Sequence, residues 1–262
     1  MKRNLYRDMI NNPEDCTKIE KDLSRFENEA APLIKRFLAE DVEEVTLSLE
    51  EDEKLKLFFA IMSFRGDSAI KAFGESASKE NKDFYLLYQK DGNLNDFWKR
   101  NLGELVNCRS LAEVSRNPKI DDPIKLFIMR DTFGIGGLYF IPVERRGNEE
   151  FLISDCYPAV FQGISGNGEL KVPLYYVFPI SPTRALFLVA KGIKSAPLSV
   201  AWFKKEFFKE PSYTQDRKHF SYRFRKIYED DVKMINDTMF ENAITGVAFR
   251  NLHKVHNIRK EQ

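Results

Sequence analysis

The feature that most constrains this fold is a change of period near residue 134. Before it, apolar residues recur at three- and four-residue steps. After it, they alternate or run in short blocks bounded by Gly, Pro, Asn and Ser. Helices first and strands second predict an α+β fold rather than a doubly wound α/β one. Asn12-Pro13-Glu14-Asp15 predicts a helix start, with Asn as N-cap, Pro at the first position and acids in the first turn. Ile19, Leu23, Phe26, Ala30, Leu33 and Phe37 give that helix one apolar face, and Pro32 is expected to kink or split it. An acidic stretch, 40–53, follows. Ser48 and Glu51 fit a capping box opening a second helix, with Leu55, Phe58, Phe59 and Met62 as its buried stripe. Weaker helical patterns cover 79–90, 94–102, 111–115 and 123–130.

Beyond the change, blocks rich in Tyr, Phe, Val and Ile at 137–143, 151–154, 159–161, 173–178 and 185–190 predict strands. Short loops between them favour antiparallel pairing. Ser181-Pro182-Thr183 fits a tight turn. A helix over 230–243 is expected to end near Gly246 as its C-cap, with 247–249 adding a short strand. No internal repeat or long linker interrupts the chain. The expectation is one domain, 1–262, with a helical subregion, 1–133, then a mainly antiparallel sheet and a C-terminal helix, 134–262.

Composition excludes several classes. A hydrophobic content of 43% with 22 Phe and 10 Tyr rules out a disordered chain. With 41 basic against 40 acidic residues, the chain as a whole is no polyanion binder. Cys16, Cys108 and Cys156 are odd in number and far apart, which predicts reduced thiols rather than a disulfide framework. The opening MKRNLYRDMI lacks the apolar core of a secretory signal, and the longest apolar runs, 57–62 and 185–190, fall far below the ~20 residues of a membrane span. A soluble cytoplasmic protein with no membrane partner is expected.

Few residues carry a chemical signal. Arg65 follows Met62 by three residues and Phe58 by seven, on one helical face, so its charge needs an anion. That anion is either a structural carboxylate or a ligand phosphate or carboxylate held bidentately. Ser154-Asp155 closes an apolar strand, as a turn cap or as a site. Asp155 is the natural partner for Arg65, so the two are expected to share one polar site. Asp155 followed by Glu169-Leu170-Lys171 also resembles a two-strand nuclease core, in which carboxylates hold Mg²⁺ and the lysine steadies a hydroxide. Gly163, Gly166 and Gly168 around it point instead to a flexible hairpin loop. The glycines of Gly134-Ile135-Gly136-Gly137 precede a strand and read as a bend, not a phosphate loop.

Residues 202–226 hold eight basic residues, Lys204, Lys205, Lys209, Arg217, Lys218, Arg223, Arg225 and Lys226, against three acidic ones, interleaved with aromatic rings. They suit nucleic acid or a phosphate ligand. Yet Phe220, Tyr222 and Phe224 alternate, as in a half-buried strand with a solvated basic face. His253 and His256 have helical ligand spacing but no third ligand nearby, and read as a polar tail.

Several segments in order carry a resemblance: Phe151-Leu152-Ile153-Ser154-Asp155 before Pro158, Phe178-Pro179-Ile180-Ser181-Pro182, Ala185-Leu186-Phe187-Leu188, and Val232-Lys233-Met234-Ile235-Asn236 before Asn242-Ala243. Upstream stand Glu20, Glu27 and Phe64-Arg65. This set resembles the bacterial and fungal domain-of-unknown-function family numbered four-two-three-eight, from about Tyr6 to Asn251. Two features depart from it. Members resemble one another in an aspartate followed one residue later by proline, where Cys156 and Tyr157 intervene here. They also open with a His-aliphatic-Val-Pro motif, whereas the histidines here are His219, His253 and His256, so chemistry resting on that motif is not expected. The resemblance implies a fold and positions, not a reaction.

Together these features predict a binding or regulatory module with an anion-accommodating site near Arg65 and Asp155. Its candidate binding residues are Arg65, Ser154, Asp155, Asn236, Arg223 and Arg225. The alternative is a metal-dependent phosphodiesterase using Asp155, Glu169 and Lys171 with Mg²⁺. Thiol titration of the denatured chain should count three cysteines, and a count of one would contradict the reduced-thiol expectation.

Overall fold

The computed structural model describes residues 17–65, 94–125, 128, 138–155, 158–164, 171–190, 203, 205–241, 243 and 246–255. The chain divides into two units: Met1–Leu33 with Glu53–Arg130, and Ile34–Asp52 with Asp131–Gln262. Two of the three boundaries fall within helices, α1 (Lys18–Leu38) and α2 (Leu49–Arg65).

Unit one is helical, and adds α3 (Leu94–Leu105) and α4 (Leu111–Arg116). Ile19, Leu23, Phe26, Ala30 and Leu33 are buried, as their spacing predicts. Pro32 does not split α1, which is one helix through it. The proline removes a single N–H donor, while the buried stripe continues on both sides of it. In α2, Leu55, Phe58 and Phe59 are buried as expected, but so are Leu57, Ile61 and Phe64, whereas Met62 is only half-buried. Burial on more than one face is what a core helix requires. Phe26 and Phe58 pack with ring centroids 5.8 Å apart. Phe64 stacks on Trp98, whose indole N–H donates to the Phe64 carbonyl at 3.1 Å. Ser110 caps α4 by accepting from the Glu113 N–H at 3.2 Å, and the Glu113 carboxylate accepts from the Arg109 N–H. Cys108 is a buried free thiol, and burial pushes its pKa up. Residues 122–125 and 128 are helical. The helix start at Asn12-Pro13, the helix over 79–90 and the bend at 134–137 lie outside the described residues.

Unit two holds the strands: β1 (Glu44–Ser48), β2 (Leu138–Arg145), β3 (Ile153–Ser154), β4 (Ala159–Ile164), β5 (Lys171–Pro179), β6 (Arg184–Ala190), β7 (Ser212–Tyr213), β8 (His219–Arg223), β9 (Arg225–Ile227) and β10 (Val247–Ala248). Helix α5 (Glu229–Glu241) precedes β10. Among the described residues the sheets are β4-β5-β6-β2-β9, β1-β8-β7 and β10-β3. All pairings are antiparallel except β2 with β9. β6 is central and buried along its whole length. The 181–183 turn joins it to β5, with Ser181 Oγ accepting from the Arg184 N–H at 3.0 Å. One core face packs Ile141, Val143, Val177 and Val189 with Val232, Ile235 and Met239 of α5. Gly246 does not directly cap α5: it lies beyond the last helical residue, Glu241, and its carbonyl accepts from the Asp155 N–H at 3.2 Å.

The acidic stretch 40–53 contains β1, which acidity alone conceals. Val45 and Leu47 alternate inward, and Val45 pairs with Tyr222 of β8. Ser48 and Glu51 form the expected capping box, with Ser48 N–H to Glu51 at 2.8 Å and Glu51 N–H to Ser48 Oγ at 3.2 Å. Among the described residues no helix is long and apolar enough to cross a membrane.

Arg184, at the start of β6, is 8% exposed. Its guanidinium donates to the carbonyls of Phe37 (2.8 Å) and Ala39 (2.7 Å) at the end of α1, approaches Glu144 at 3.3 Å, and lies over the Phe224 ring at 4.7 Å. A cation there satisfies orphan carbonyls and the negative end of the helix dipole. Arg184→Lys keeps the charge but loses the fork. It should lower the urea unfolding free energy by about 2 kcal/mol, and an unchanged midpoint would contradict this role.

Candidate functional site

Glu149 and Glu150 directly precede Phe151 and Leu152, and the apolar pair carries the acids inward. Phe151 and Leu152 are 2% and 0% exposed, and Glu149 and Glu150 are likewise 2% and 0%. Backbone bonds hold this segment: Phe151 N–H to the Pro182 carbonyl at 3.1 Å and Glu150 N–H to the Lys254 carbonyl at 2.7 Å. Asn236 on α5 completes it. Its Oδ1 accepts from the Leu152 N–H at 3.0 Å, and its Nδ2 donates to the Glu150 carbonyl at 2.8 Å and to Glu149 Oε1 at 3.4 Å.

A buried carboxylate needs cations. Three approach Glu150 Oε1: Arg250 at 2.5 Å, Lys254 at 3.6 Å and Arg145 at 3.7 Å. Arg145 is nearly buried, Lys254 partly exposed, and Arg250 is 60% exposed. Gly147 shapes the turn between Arg145 and Glu150 with φ +100°, and its carbonyl accepts from Arg145. Two buried atoms here, Glu150 Oε2 and Arg145 Nε, have no hydrogen-bond partner among the described residues. Such orphans cost about 1–3 kcal/mol each.

Arg250 also lines a cleft of about 490 Å³, with Ser181, Thr183, Arg184, Glu144 and the residues after α1. Of the two arginines there, Arg184 is committed to carbonyls and Glu144, and burial lowers its pKa while the Asp41 charge opposes the fall. Arg250 donates to Glu150 through one nitrogen, leaving the rest of its fork available. A guanidinium held from behind by a buried carboxylate is oriented to take a phosphate or carboxylate in front.

Ser154 is buried in β3, opposite Val247. Asp155 is exposed in the turn that follows. Both continue the segment that Asn236 holds. Arg65 pairs with Glu27 of α1 and lies 3.9 Å from Met62 Sδ, so it and Asp155 belong to different units. Arg223 is 77% exposed, 3.8 Å from Glu43. Arg225 donates to the carbonyls of Glu206 (2.6 Å) and Lys209 (2.9 Å), and burial lowers its pKa against the opposing pull of Tyr139. Arg223 and Arg225 line a second groove of about 290 Å³. Tyr222, which directly precedes Arg223, turns inward, as the alternation predicts.

Glu169, Cys156 and His256 lie outside the described residues, as does the side chain of Lys171 at the start of β5. Among the described residues no group of three or more His, Cys, Asp and Glu could hold a metal ion. Sequence reasoning passed over Glu150, Arg145, Arg250 and Lys254. The usable signal was two acids abutting the apolar Phe151-Leu152.

No curated protein and no solved structure matches the chain. The model of the family described as Protein of unknown function (DUF4238) matches residues 1–253, so the chain belongs to that family.

Proposed function

We propose that the chain is a cytoplasmic binding module whose anion-accommodating site is built on Glu150 and Arg250. The observation that carries this reading is the convergence of Arg145, Arg250 and Lys254 on one carboxylate with no exposed surface. A single structural ion pair would need one cation. Three cations leave positive charge facing outward, chiefly on Arg250, which lines a cleft of ligand size. Ser154, Asp155 and Asn236 belong to this site as the frame that fixes Glu150. Arg65, paired with Glu27, serves the packing of unit one.

Inorganic pyrophosphate is the test ligand, at constant ionic strength. At about tenfold over its Kd it should stabilise the fold by about 1.4 kcal/mol, read as a rise in Tm. Arg250→Gln should remove that rise, and Arg223→Gln, in the other groove, should keep it. No rise in the parent chain, or equal rises in both variants, would contradict the proposal.

A further inference from the structure

Three cations stand beside Glu150, yet only one of them bonds it. Arg250 donates to Oε1 at 2.5 Å. Lys254 Nζ at 3.6 Å and Arg145 Nη2 at 3.7 Å lie beyond hydrogen-bond reach of the same atom. The second carboxylate oxygen, Oε2, is buried and has no hydrogen-bond partner among the described residues. Neither has the buried Nε of Arg145. The Gly147 carbonyl accepts from Arg145 Nη1 and holds the guanidinium where it is. Glu149, the other buried acid of the segment, bonds Asn236 instead. Buried polar atoms are nearly always paired, so this group of atoms calls for a bridge from outside the chain.

The atoms themselves say what the bridge must offer. Arg145 Nε, Arg145 Nη2 and Lys254 Nζ bring N–H groups and positive charge, whereas Glu150 Oε2 brings only lone pairs. A water accepts two hydrogen bonds, one fewer than the donors present. An oxyanion without a proton satisfies the donors but sets its charge against the carboxylate. A tetrahedral oxyanion that keeps one proton answers all four atoms: its oxygens accept from the cations and its O–H donates to Oε2.

We propose, resting on the anion-binding reading above, that this site selects hydrogen phosphate and rejects oxyanions that carry no proton. Arg250 keeps its bond to Oε1 and turns its remaining donors to the phosphate. Lys254, 37% exposed and not bonded to Glu150, is the side chain that swings out to admit the anion and closes on it. Discrimination follows because a proton-free anion leaves Oε2 buried, unpaired and facing negative charge.

Calorimetry at about pH 8 and constant ionic strength tests it. There phosphate still carries a proton, as pyrophosphate does, while sulfate and methyl phosphate carry none. Phosphate should bind at least about tenfold tighter than either. Glu150→Gln supplies an amide donor in place of the carboxylate, and should bring sulfate to within about threefold of phosphate. The comparison on the parent chain stands even where that variant fails a thermal melt. Sulfate or methyl phosphate binding within tenfold of phosphate, an unchanged ratio in a folded Glu150→Gln variant, or no phosphate binding where pyrophosphate binds would each overturn the selectivity and leave the anion site standing. If pyrophosphate fails as well, both fall.

Discussion

A carboxylate with no exposed surface has given up its hydration and needs partners from the chain, and Glu150 of unit two is such a group. Glu150 draws Arg145 from the end of β2 and Arg250 and Lys254 from the segment after β10. Its backbone bonds to Lys254 and Asn236 bring in that same segment and α5. Desolvating these charges costs several kcal/mol, and their attraction repays it only with good geometry. That geometry comes from the apolar frame. Phe151 and Leu152 fix the depth of Glu150, Val232 and Ile235 seat the helix carrying Asn236, and β2 is held by its pairing with β6.

Arg184 is the second polar anchor of unit two. It closes the end of α1, stacks on Phe224 and holds Glu144, which also meets Lys226. The two anchors differ in what they leave over. Arg184 is buried and has its donors matched by chain groups. Arg250 is 60% exposed, is joined to the buried Glu150 and lines a cleft.

Much of the fold was legible because burial follows local period. The strand block at 185–190 is β6, buried at every position, and the 173–178 block is β5, extended slightly at each end. Ser48 and Glu51 announced a capping box that the structure contains. What escaped depends on distant partners. β1 is a strand because β8, far along the chain, offers Tyr222 and Phe220 opposite Val45 and Leu47. β9 lies parallel to β2 through a pairing no local pattern encodes. The site escaped for the same reason: Glu150 reads as a loop acid until Phe151 is seen to be buried, and Arg250 and Lys254 sit in a polar tail. Arg65, legible as an arginine needing an anion, meets Glu27 of α1, a partner its own helix does not reveal.

The central claim is that Glu150 orients Arg250, and a double-mutant cycle measures that directly. Unfolding free energies of Glu150→Gln, Arg250→Gln and the double variant should yield a coupling of about 1 kcal/mol or more, the exposure of Arg250 keeping it below that of a fully buried pair. Additivity within about 0.3 kcal/mol would show that the two side chains act independently and would contradict the account.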